Sequence, residues 1–428
     1  MAIAAVAFLV LLALGMPVAF TIGVSGAIFF LSSPDVPFSI LTQKVVASSQ
    51  NFTLLAIPLF IFAGNLMNNT GITDRLVKLA NTLTGHMYGN LAQISCVLST
   101  LMGGVSGSAN ADAAMECRVL GPEMTKRGYA RGYSAAVNGV TSLITATIPP
   151  SMGLIIYGSV GDVSIGRLFA AGFVPGIMMM IALMVTIRLT AKKRGYLPER
   201  TKPAPIGEIG RALVDGIWAL LFPIILIVGI RFGVFTPSES GAFACLYAIF
   251  VGVVVYREMN WKTFVDTLKS TSKDIGIVMI LVAMSGTIGY GIVYDQVPQN
   301  MSAFLVGVTE SPILMMLIAV VILAFSGMFI ETTVIALLMT PILVPVMVDI
   351  GVDPVHFGLI MMTVTTMGIM TPPVGIALYT TSQIMGTRVE NVAKESLPFL
   401  AAVIAVVVIM ILFPQLVLFI PDMIFGAA

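Results

Sequence analysis

The sequence predicts an all-α membrane protein of about ten transmembrane helices and two re-entrant helical hairpins, arranged as an inverted-topology repeat. Three observations carry that reading: composition, the placement of basic residues, and polar interruptions that recur at a fixed spacing. Hydrophobic residues fill 57% of the 428 positions and charged residues 10%, with a mean hydropathy of +1.00, far from the averages of soluble domains. A membrane β-barrel needs short segments alternating with polar lumen positions, whereas the runs 177–190 and 401–413 are apolar on every face.

Charge orders the crossings. Of the 22 Lys and Arg, 14 lie in three stretches, 126–131, 188–211 and 257–273, which the positive-inside rule places in the cytoplasm. The apolar material between them divides into even numbers of crossings. The run 1–14 carries no basic residue before Lys44, so it lacks the charged start of a secretory signal. It reads as a mature membrane helix, and both termini are expected in the periplasm.

The first half, 1–190, continues with crossings at 18–31 and 52–67 and a cytoplasmic loop at Arg75 and Lys78. A hairpin follows at about 90–125, then a broken helix at about 133–158 and a crossing at 168–187. The basic, proline-containing segment 191–212 reads as a cytoplasmic linker. The second half, 213–428, begins with crossings at 213–230 and 241–255. In 257–273, Trp261, Phe264, Val265 and Leu268 recur at i, i+3, i+4, i+7 between charged residues, which predicts an interfacial amphipathic helix. A second hairpin is expected at about 312–348, flanked by Asp295, Glu310, Asp349 and Asp353 without a basic residue, and a second broken helix at about 356–385.

The repeat rests on matched interruptions. Gly104 and Gly327, Pro122 and Pro345, Pro149 and Pro372, and Pro150 and Pro373 are each 223 positions apart, and a one-residue gap then pairs Gly153 with Gly375 and Tyr157 with Tyr379. The first hairpin enters from the basic side and the second from the opposite side, as inversion requires. Such repeats are a common architecture of secondary transporters.

Non-helical backbone at membrane depth must be covered by protein or line a watery cavity. The first tip, Gly104 to Asp112, gathers Ser106, Ser108, Asn110 and a carboxylate, and its partner break runs Thr145-Ala146-Thr147-Ile148-Pro149-Pro150-Ser151. Prolines donate no N–H and free the carbonyls of the preceding turn, and hydroxyl and carbonyl oxygens suit Na⁺. Cation sites are therefore expected around Gly104, Ser106, Asp112, Thr145, Thr147 and Pro149, and around Gly327, Glu331, Gly368, Met370 and Thr371. The substrate is expected between the tips, at Ser106, Ser108, Asn110, Thr332 and Thr333. For Glu331 three roles stand open: cation ligand, proton carrier or neutral hydrogen-bonding group.

Other chemistries fit poorly. Gly104-Val105-Ser106-Gly107 matches a GxSG pattern of intramembrane serine proteases, but the two histidines, His86 and His356, fall near presumed helix ends and could not serve Ser106 as a base. No GxxxxGK[ST] pattern occurs, so nucleotide hydrolysis by this chain is not expected. Cys96, Cys117 and Cys245 lie in apolar sequence without CxxC spacing and read as packing residues.

The chain resembles the large membrane subunit of tripartite ATP-independent periplasmic (TRAP) transporters over nearly its whole length. The resemblance rests on 52–60 with Ala63-Gly64, the tip 103–115, Ile148-Pro149-Pro150-Ser151, Phe235-Thr236-Pro237-Ser238-Glu239, and Thr371-Pro372-Pro373-Val374-Gly375. It implies a Na⁺-coupled importer, using two or more Na⁺ ions, of small organic acids such as C4-dicarboxylates or sialic acid in the bacterial inner membrane. It implies an elevator, with hairpins and broken helices moving against a scaffold. It also implies two partners, a small four-helix membrane subunit on a separate chain and a periplasmic substrate-binding protein. The competing readings are a self-sufficient Na⁺/divalent-anion symporter and a membrane channel or structural subunit without coupled transport.

Overall fold

The protein is described here from a computed structural model covering residues 1–50, 52–308 and 311–426; Glu310 lies outside the described residues. Every regular element among them is helical. Ile165–Arg194, Ile206–Arg231, Pro237–Val255, Trp261–Tyr294, Thr332–Asp349 and Val389–Leu412 are long and apolar enough to cross a membrane, and two bent helix pairs raise the number to eight. Ala2–Ala13 and Val18–Ser32, expected as the first two crossings, are apolar but only 12 and 15 residues long.

The hairpins and breaks fall at the interrupted stretches. The first hairpin pairs Asn90–Gly103 with Ala109–Val119, and Arg131–Thr147 bends by 42° into Met152–Gly161 across the Pro149-Pro150 break. In the second half, Pro312–Gly327 pairs with Thr332–Asp349, and Pro354–Gly368 breaks at Pro372-Pro373 before Ile376–Met385. Both Pro-Pro bonds are cis.

Packing follows a pseudo-twofold pattern. Met152–Gly161 lies against Thr332–Asp349, and its counterpart Ile376–Met385 lies against Ala109–Val119. Farther out, Pro237–Phe250 packs on Ala56–Asn68 and Trp261–Tyr294 packs on Val18–Ser32. Each half thus closes over the other half's hairpin.

Two segments differ from the sequence reading. The amphipathic stretch 257–273 is no separate interfacial helix: from Trp261 it forms the first turns of the 34-residue helix Trp261–Tyr294. Its polar face at Thr267 and Thr271 is buried against Asn69 and Asn65, while Trp261 keeps 78% of its surface exposed. The linker is also shorter than 191–212, because helix Ile165–Arg194 runs through Lys192, Lys193 and Arg194 and the next helix starts at Ile206. Basic residues in a last helical turn complement the helix dipole, so their charge does not mark a loop.

The charge map is spatially coherent. At one end, Arg75 pairs with Glu258 at 2.8 Å, Arg127 with Glu199 at 3.3 Å and Arg194 with Glu395 at 2.5 Å. At the other, Met1 meets Asp295, Arg167 pairs with Asp422 at 2.7 Å, and Tyr157 donates to the Pro354 carbonyl at 2.6 Å. The three basic stretches therefore converge on a single end of the bundle.

Candidate functional site

Each tip meets its own break through glycine. Gly107 has φ +64°, and a Cβ there would come within 2.4 Å of the Pro150 carbonyl oxygen; only glycine combines that conformation with that approach. The second contact is glycine on glycine: a Cβ on Gly368 would lie 2.3 Å from the Gly327 carbonyl carbon, and one on Gly327 would lie 2.7 Å from the Thr365 oxygen. The Gly375 N–H donates to the Met328 carbonyl at 3.1 Å and ties the second break to its tip.

Between the tips lies a cavity of about 190 Å³. Four half-helices begin at its wall: Ala109–Val119 after Ser108, Met152–Gly161 after Ser151, Thr332–Asp349 after Glu331, and Ile376–Met385 after Gly375. None of the four starts carries a side-chain cap. Helix starts leave N–H groups without intrahelical partners and concentrate partial positive charge. No Lys, Arg or His lines the cavity, and its single ionisable side chain is Glu331. Met362, Ile369 and Ile376 supply an apolar wall.

A second cavity of about 350 Å³ adjoins the first and shares Ser108, Asn110, Met152 and Glu331 with it. Its far wall comes from Ala56–Asn68 and Trp261–Tyr294. There Asn65 donates to Thr271 at 3.0 Å and to Asp274 at 3.1 Å, and Asn69 donates to Thr267 at 2.8 Å. This polar seam runs from the cavity toward the end of the bundle that carries the basic residues.

The expected substrate residues are brought together: Ser108, Asn110, Thr332 and Thr333 line the first cavity, and Ser106 lines the second. The expected cation residues divide. Thr145 donates to Asp112 Oδ2 at 2.5 Å, while Asp112 Oδ1 is buried and unpartnered. Thr147 turns away: its hydroxyl bonds the Leu143 carbonyl at 3.3 Å, and its own carbonyl, like the Pro149 ring, packs beside Gly172. Gly104 faces Pro223. In the second half, Gly327 and Gly368 touch, the Thr371 hydroxyl bonds the Met367 carbonyl at 3.1 Å, and Met370 is buried beside Gly139. Glu331 faces the cavities.

Sequence reasoning missed Glu116. It is fully buried, meets Ser95, and accepts from Ser99 at 2.6 Å and from Thr141 at 3.2 Å. The available signal was spacing: Ser95/Ser99, Asp112/Glu116 and Thr141/Thr145 are three i, i+4 pairs on three helices. Burying two ionised carboxylates without a basic partner costs several kcal/mol each. A bound cation or a proton must offset that charge.

The sequence profile described as "Tripartite ATP-independent periplasmic transporter, DctM component" matches residues 5–416. The chain is 35% identical over 418 residues to the sialic acid TRAP transporter large permease protein SiaM of Vibrio cholerae, covering 97% of each chain. To the C4-dicarboxylate TRAP transporter large permease protein DctM of Pseudomonas aeruginosa it is 32% identical over 405 residues, covering 94% of each. Among solved structures, the YdaH transporter of Alcanivorax borkumensis superposes with a TM-score of 0.63 at 11% identity, over 93% of this chain and 96% of that one. That last likeness is one of fold.

Proposed function

Because the chain belongs to the DctM-component family of tripartite ATP-independent periplasmic transporters, we propose that it is the large permease of a Na⁺-coupled importer of small organic acids, of the C4-dicarboxylate or sialic-acid type. The observation that carries this reading is the convergence of four uncapped helix starts on a cavity without a basic side chain. Fixed N–H dipoles attract a carboxylate. They do not cancel the whole charge of an anion that shares its cavity with Glu331, and co-bound cations supply the remainder.

Asp112 is the strongest cation ligand, with an oxygen unpartnered beside Thr145; Ser106 and the carbonyls around Pro150 complete a hard-oxygen environment that suits Na⁺. In the second half the donors are the carbonyls around Gly327, Gly368 and Thr371. Coupling follows if cation and substrate each stabilise the same closed arrangement of tips and breaks. The hairpins and broken helices then move as one body against Val18–Ser32, Ala56–Asn68, Pro237–Phe250 and Trp261–Tyr294. Substrate leaves along the seam of Asn65 and Asp274. A periplasmic binding protein delivers the acid, a small four-helix membrane subunit braces the scaffold, and both termini face the periplasm.

The test is uptake of labelled sialic acid and succinate by liposomes carrying the chain with its partner subunits, under an inward Na⁺ gradient or the same gradient of K⁺. Uptake in Na⁺ alone is expected. Equal rates in both salts would remove the coupling.

A further inference from the structure

Ser151 begins Met152–Gly161 in the extended conformation usual for a capping serine, φ −110° and ψ 128°, yet its hydroxyl caps nothing. It is 1% exposed, Oγ has no hydrogen-bond partner, and the residue lines the cavity between the tips. A serine in this position ordinarily accepts from the second or third N–H of its helix. Here the first intrahelical bond is Ile155 N–H to the Ser151 carbonyl at 3.1 Å, so the N–H groups of Met152, Gly153 and Leu154 precede the ladder.

The second half does not repeat this arrangement. Between Pro373 and Gly375 stands only Val374, where the first half has Ser151-Met152, and Val374 is 40% exposed. The two breaks are thus alike in backbone and unlike in chemistry: one offers a free hydroxyl, the other a branched hydrocarbon.

A buried hydroxyl without a partner is costly to keep, and an oxygen of a ligand restores the missing bond. We propose that the Ser151 hydroxyl, with the first N–H groups of Met152–Gly161, receives a carboxylate of the substrate, while Ile369 and Ile376 take its carbon skeleton. This rests on the organic-acid reading above and adds an orientation: the acid group points to the first-half break.

The test uses the full chain in lipid nanodiscs with succinate and N-acetylneuraminate as probes, plus the methyl ester of whichever acid binds. Ser151→Ala should raise the Kd for the acid about tenfold, as expected for a hydrogen bond to a charged group, and leave that for the ester within twofold. Ser151→Thr, which keeps the hydroxyl, should restore most of the affinity. Wild-type binding with an unchanged Ser151→Ala Kd overturns the assignment alone, as does an equal loss for acid and ester. If the wild-type chain binds neither acid, the organic-acid reading falls and takes this assignment with it.

Discussion

The Thr145 hydroxyl donates to one carboxylate oxygen of Asp112 at 2.5 Å and leaves the other buried without a partner. The bond joins the first hairpin to the broken helix beside it, so a cation on the free oxygen would lock tip and break together.

Asp112→Asn keeps the size of the side chain and removes its charge. The Na⁺ concentration for half-maximal uptake should rise at least tenfold, while Thr145→Val should raise it less, because the carboxylate remains. Sodium titration of uptake in liposomes measures both, and an Asp112→Asn curve that overlays wild type would exclude this carboxylate from coupling.

The glycine contacts make a second expectation. Gly107→Ala combines a positive φ with a Cβ 2.4 Å from the Pro150 oxygen, and Gly368→Ala drives a Cβ to 2.3 Å from the Gly327 backbone. Neither obstacle is a flexible side chain. Each variant should lose about 1–3 kcal/mol of stability and at least tenfold in uptake, read by thermal melting and transport. A control at Gly210, where a Cβ meets nothing within 4 Å, should retain both.

Motion of the tip against the scaffold can be tested by tethering. A Cβ on Gly64 would lie 3.5 Å from the Ser106 Cα, close enough for the Cβ separation of a disulfide. In a background lacking Cys96, Cys117 and Cys245, the pair Gly64→Cys and Ser106→Cys should form a disulfide on oxidation and stop uptake, and reductant should restore it. Full uptake by the oxidised, cross-linked protein would mean that this tip does not slide past Ala56–Asn68.

Repeat-related tyrosines should respond differently. Tyr157 is fully buried with its hydroxyl on the Pro354 carbonyl at 2.6 Å, whereas Tyr379 is largely exposed. Tyr157→Phe should lower stability by about 1–2 kcal/mol, and Tyr379→Phe should change it by less than about 0.5 kcal/mol. Parallel melting curves in one detergent decide the matter, and equal shifts would contradict the burial difference.

Much of the architecture was legible because membrane sequence has few ways to interrupt a helix. Gly103 to Ser108 and the two Pro-Pro pairs stand out against apolar surroundings, and their common spacing exposed the repeat. Thr147 and Pro149 show the limit. They share a break with Pro150, but which of its carbonyls faces the tip and which faces Gly172 depends on the rotation of the chain about the bend. Glu116 was passed over because a lone carboxylate on a short polar helix looks solvent-facing until Ser95, Ser99 and Thr141 arrive from two other helices.

By itself the sequence determined the solvent, the helical class, the two related halves and the places where helices break, since each follows from local hydropathy, charge and backbone chemistry. Tertiary structure decided which broken ends meet. Packing of Met152–Gly161 on Thr332–Asp349, and of Ile376–Met385 on Ala109–Val119, brings four helix starts from distant positions to one cavity. It also buries Asp112 and Glu116 together, and it leaves Ser151 unpaired where the second half has Val374. The physical reason is that burial and hydrogen-bond partnership are properties of contacts between segments, and no local pattern encodes them.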